Sequence, residues 1–138
     1  MGDAKNFITE EKNHINNTII LLKKILDRPE IDDVDRVALS TLVMNIYSGI
    51  ENILRYILEK HGVRIRKSGS WHKDLLSSSH IRGLITDELF ETLKDYLTFR
   101  HFQVHGYGYM LAYEKMEHLV VNAEETANRF FSEIEEIN

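Results

Sequence analysis

Apolar residues in this chain recur at intervals of three and four almost from end to end, the spacing of one face of an α-helix. The first stripe, Ile8, Ile15, Ile19, Leu22 and Leu26, predicts a helix from about Asp3 or Thr9 to Asp27. Pro29 and the pair Asp32-Asp33 then break the pattern, because proline lacks an N–H donor and aspartate favours turns and caps. A second stripe, Leu39, Val43, Ile46, Ile50, Ile53 and Ile57, alternates steps of four and three and predicts one long helix that stops at Gly62. Residues 63–70 lose the pattern and read as a loop rich in Arg, Lys, Ser and Gly. Ser70-Trp71-His72-Lys73-Asp74-Leu75-Leu76 predicts a short helix, with Ser70 as N-cap and Asp74 in the first turn, ended by Ser77-Ser78-Ser79. Trp71 reads as the anchor that pins this helix to the rest.

Thr86 is placed to cap a fourth helix whose core face is Leu89, Leu93, Tyr96 and Leu97. Gly106 and Gly108 interrupt it. A last helix begins near Leu111 and carries the stripe Met116, Val120, Ala123, Ala127, Phe130, Ile134 and Ile137. The pattern therefore predicts an all-α fold: a compact up-down four-helix bundle with one short extra helix. No repeat or linker divides residues 1–138, which read as one domain. Tyr47, Tyr56 and Tyr113 are expected at the rim of the core.

The absence of cysteine removes disulfides, thiol nucleophiles and thiolate metal sites, and suits a reducing cytoplasm. The longest apolar run, near Ile19-Ile20-Leu21-Leu22, is too short to span a bilayer, and the N-terminus has no signal-peptide core. Gly2 is not followed by Ser or Thr at position 6, so no myristoylation signal is present. The net charge of −5 is unevenly spread. Residues 60–82 hold Lys60, Arg64, Arg66, Lys67, Lys73 and Arg82 against Asp74, a net +5, which leaves −10 elsewhere. This window is either a solvated basic loop or a patch for a polyanion, with Arg64, Arg66, Lys67 and Lys73 as its candidate contacts.

Reactive side chains concentrate at Arg100-His101-Phe102-Gln103-Val104-His105-Gly106-Tyr107. Guanidinium stays charged and forks onto phosphate oxygens, while imidazole accepts or donates protons near neutrality. On one continuous helix Arg100 and His105 would point about 140° apart and lie about 7.5 Å apart along the axis. They converge only if the helix ends between them or a second copy completes the site. His101 and His105 also have the spacing of a helical metal pair, with His72 as a distant third ligand. His14, His61, His80 and His118 are isolated and read as surface or capping residues.

The pattern Arg-x-x-x-x-His-x-Tyr, here Arg100, His105 and Tyr107, resembles the signature of HEPN-domain proteins, and more narrowly that of the HepT-like toxins of HEPN/MNT toxin–antitoxin systems. The polar residue after the arginine, His101, fits that pattern. The Ser70–Leu76 segment and the helical layout along nearly the whole chain are similar as well. The resemblance implies a metal-independent endoribonuclease that acts as a homodimer, needs no cofactor, and uses Arg100, His105 and His101. It also implies a partner nucleotidyltransferase of the MNT type as antitoxin, attaching AMP to Tyr107, with Tyr109 as the alternative target. A non-catalytic HEPN module that binds a nucleotide or a partner nucleotidyltransferase is the second expectation. A helical interaction protein with structural Arg and His is the third.

Overall fold

The computed structural model describes residues 2–104 and 109–136; within these, the side chains of 2–5, 104, 109–112 and 116 are not described. The described residues form six helices: α1 (Gly2–Leu26), α2 (Asp33–Lys60), α3 (Trp71–Ile81), α4 (Asp87–Val104), α5 (Tyr109–Val121) and α6 (Ala123–Glu135). Helix α2 is the central member and packs against all five others. Its predicted stripe is buried in full, from Leu39 to Ile57. The face is wider than the stripe, because Tyr47, Glu51, Leu54 and Leu58 are buried too. Tyr47, expected at the rim, is 1% exposed and belongs to the core. Burial of α2 also explains why it is apolar and long enough to qualify as a membrane span by length and composition; more than half of its most apolar window is covered by protein. The expectation that no segment qualifies is corrected to that extent.

The helix ends follow from local chemistry. Asp32 caps α2 by accepting from the Asp35 N–H at 2.8 Å, and the Asp35 carboxylate accepts from the Asp32 N–H at 3.2 Å, closing a capping box. Arg28 pairs with Asp35 across the preceding turn. At the other end Gly62 takes φ +81°, Val63 N–H donates to Leu58 C=O, and Gly62 N–H donates to Glu59 C=O. This reciprocal pair of bonds satisfies carbonyls that the helix leaves open. Gly49 lets Ile15 of α1 seat against the α2 backbone: a Cβ there would lie 2.6 Å from Ile15 Cγ1.

Two boundaries differ from expectation. Helix α3 does not end at Ser77–Ser79 but continues to Ile81. Ser79 is buried and its hydroxyl donates to Leu75 C=O at 2.8 Å, so this serine is absorbed into the helix. The stop is Gly83, at φ +77°, with Leu84 N–H donating to Ser79 C=O. Ser70 does occupy the N-cap position of α3, but its side chain makes no cap bond to the backbone. The single last helix expected from the stripe is two helices, broken at Asn122. The buried hydroxyl of Tyr96 donates to Leu119 C=O at 2.6 Å and lies 3.4 Å from Thr126 Oγ1, pinning both sides of the break to α4. The stripe itself survives, with Val120, Ala123, Ala127, Phe130 and Ile134 all buried. Thr86 caps α4 as expected, accepting from Leu89 N–H at 3.2 Å, and Glu133 of α6 holds Thr86 in place.

Candidate functional site

Arg100 lies in the penultimate turn of α4, which continues past it to Val104. Its side chain is half-buried, whereas the next residue, His101, is exposed. Helix α3 packs alongside α4 and brings His72 and Lys73 to the same place. Together with Gly69, Ser70 and Leu97 these four residues line a cleft of about 400 Å³. Of the residues singled out in the sequence, Arg100, His101 and Lys73 are thus brought together. Arg64, Arg66 and Lys67 are exposed in the segment before α3 and do not line this cleft. Lys67 instead places its ammonium 6.0 Å from the Trp71 ring centroid, which Arg55 also approaches at 5.7 Å. His105 and Tyr107 lie outside the described residues, and Tyr109 opens α5 without a described side chain.

Sequence reasoning missed a buried carboxylate behind the cleft. Glu51 of α2 is 3% exposed, and both its oxygens lie 2.8–2.9 Å from His72 Nδ1. A carboxylate removed from water is stable only with partners of this kind. Burial pushes the Glu51 carboxyl above its ordinary pKa, and the His72 contact, Tyr47 and the Arg100 charge pull it back only in part. Tyr47 is pushed far above the ordinary phenol range, first by burial and then by the Glu51 charge, with Arg100 opposing. Its hydroxyl neighbours Glu51 yet closes no hydrogen bond of good geometry. The cleft is therefore backed by one electrostatic unit: Tyr47 and Glu51 from α2, His72 from α3, and Arg100 from α4. The available signal was the spacing Tyr47, Glu51, Leu54, Leu58, which puts a charge inside a buried stripe. His72 is engaged by Glu51 rather than poised as a third metal ligand, and among the described residues no cluster of three His, Asp or Glu side chains could hold a metal ion.

A second, neighbouring cleft of about 430 Å³ shares Lys73, Leu97 and His101 with the first and runs along α3 and α4 to Lys94. A smaller cavity of about 240 Å³ lies between α4 and the α5–α6 break, lined by Glu88, Asp95 and Glu125, with Arg129 already tied to Glu88 and Glu133. Its acidic wall makes it a poor host for phosphate.

The sequence model of one family, described as HepT-like protein, matches residues 38–138. The chain belongs to the HepT-like family. The matched stretch holds α3–α6 and most of α2, and so contains Glu51, His72, Lys73, Arg100 and the whole Arg100–Tyr107 segment of this HepT-like chain. Neither a curated protein nor a solved structure matches it. The fold of the HepT-like chain is all-α, in agreement with its HEPN-type family.

Proposed function

We propose that this chain is an endoribonuclease toxin of a HEPN/MNT system, acting in the cytoplasm as a homodimer with Arg100 and His105 as its central catalytic pair. The observation that carries this reading is the cleft that Arg100 shares with His101 and Lys73, beside the buried Glu51–His72 pair. In the proposed reaction His105 takes the proton from an RNA 2′-hydroxyl, whose oxygen attacks the adjacent phosphorus. Arg100 carries the negative charge that grows on the phosphorane, so the reaction uses no metal ion. A second imidazole, His101 in the same chain or one from the second copy, gives a proton to the departing 5′-oxygen. The products are a 2′,3′-cyclic phosphate and a 5′-hydroxyl, and DNA is not cut because it lacks the nucleophile.

A nucleotidyltransferase antitoxin is the proposed partner. AMP attached to Tyr107, or to Tyr109, would add an anion in the segment that follows Arg100 and His105 in sequence and repel RNA phosphates. The direct test is cleavage of total RNA by the purified chain in the presence of a chelator. Arg100→Ala and His105→Ala are expected to abolish cleavage and growth arrest while the helical circular dichroism persists. Full cleavage by both variants would refute the assignment.

A further inference from the structure

The two clefts along α3 and α4 form one trough, because Lys73, Leu97 and His101 line both. From Lys94 to Arg100 the α4 wall rises about 9 Å, room for one nucleotide beyond the group held at Arg100. The lining is selective. It includes the cations Lys73, Lys94 and Arg100, and no carboxylate, in a chain of net charge −5. The cavity beside α5 and α6, lined by three carboxylates, shows the opposite arrangement.

Two of these cations, Lys73 and Lys94, hold no strong partner of their own. Among the described residues Lys73 makes no ion pair. Lys94 lies 5.0 Å from the Phe90 ring centroid and makes an exposed i,i+3 pair with Glu91 at 3.2 Å, contacts of the kind worth little in water and readily exchanged for phosphate. The floor between them is apolar, formed by Leu76 and Leu97 with Phe90, whose ring is stacked on His80 at 4.1 Å. Ser77 and Thr98 place hydroxyls at the margin. Cations at the two ends of an apolar floor complement a nucleotide whose base is unpaired. A base inside a duplex is stacked and cannot reach such a floor.

We propose that the α3–α4 trough is a subsite for one unpaired ribonucleotide flanking the scissile phosphate, with its base on Leu76 and Leu97 and the phosphates on either side of it at Lys73 and Lys94. The proposal rests on the ribonuclease reading above and adds what that reading lacks, a preference for single-stranded RNA of a minimum length. The test compares kcat/KM of the full chain on mixed-sequence dinucleotides and tetranucleotides, and on the same tetranucleotide sequence embedded in a duplex. Wild-type protein is expected to gain at least tenfold from dinucleotide to tetranucleotide and to lose that gain in the duplex. Lys94→Glu removes the gain, whereas the charge-matched Lys24→Glu, on the exposed face of α1, keeps it. If RNA is cut but Lys94→Glu keeps the same gain as Lys24→Glu, the trough is overturned and the ribonuclease reading stands. If wild type cuts none of these RNAs, both fall together. Competition by polyglutamate as strong as by tetranucleotide would overturn the assignment to RNA by making the trough a general anion site.

Discussion

Removing His72 isolates a buried carboxylate, and the consequence can be worked out from its surroundings. Glu51 is almost fully buried, and His72 Nδ1 lies 2.8–2.9 Å from both of its carboxylate oxygens. His72→Ala leaves the carboxylate with the Tyr47 hydroxyl and the Arg100 charge. Removing the partner of a buried carboxylate costs about 3–5 kcal/mol. The lower end applies here, because Arg100 remains and the carboxyl can take up a proton. A loss of about 3 kcal/mol corresponds to a fall of roughly 10 °C in Tm for a chain of this size. Glu51→Gln keeps the shape and an acceptor for His72 and leaves no buried charge behind, so its cost is that of one weakened hydrogen bond, about 1 kcal/mol.

The pH dependence has a definite sign. The folded pKa of Glu51 is raised, so above the ordinary carboxylate range the folded state holds more protons than the unfolded one. Stability linked to Glu51 is therefore present below its unfolded pKa and falls as pH rises toward the raised value. His72→Ala raises that value further, so its deficit is greatest at pH 8 and narrows toward pH 5, while Glu51→Gln loses this falling limb. Thermal melts followed by circular dichroism at both pH values read all three proteins. A His72→Ala variant melting within about 2 °C of wild type at pH 8, or a Glu51→Gln variant as damaged as His72→Ala, would refute the electrostatic account.

Other substitutions probe the scaffold and the surface. Gly49→Val should cost about 1–3 kcal/mol by forcing Ile15 away, read as a lower urea midpoint; no change would mean that α1 can shift freely. Gly83→Ala should cost about 1 kcal/mol because φ is +77° there, measurable in the same titration. Tyr96→Phe should lose about 1 kcal/mol with the bond to Leu119 C=O, and slower amide exchange at the Asn122 turn than in wild type would contradict that role. Neutralising Arg64, Arg66 and Lys67 together should flatten the salt dependence of RNA binding; an unchanged slope would separate these exposed cations from the RNA path.

What the sequence made legible was governed by local pattern, and what it hid was governed by contacts across the fold. The stripe from Leu39 to Ile57 announced α2, and Thr86 announced the start of α4, because both depend on neighbours a few residues away. The break at Asn122 was hidden because the Tyr96 hydroxyl that pins it comes from another helix, while the apolar period runs through the turn undisturbed. The serines at 77–79 misled because their usual preference for turns is overridden when a hydroxyl folds back on its own helix. Arg100, His101 and Lys73 could be named as reactive residues but not joined, since their proximity depends on how α3 lies along α4. Glu51 carried a visible anomaly, a charge on a buried face, but its partner stands 21 residues away.

The notch at Gly49 bears on how this protein can be dissected. The family match starts at residue 38, beyond α1, yet Ile15 of α1 is seated against Gly49 inside the matched stretch. A fragment trimmed to that boundary would also lose Ile19 and Leu22, and would turn the α1-facing side of α2 out to water. Such a fragment is expected to aggregate. Inactivity after trimming would then report a lost scaffold rather than a lost catalytic group, and the first 26 residues must stay with the rest whenever the chemistry of the Arg100 cleft is assayed.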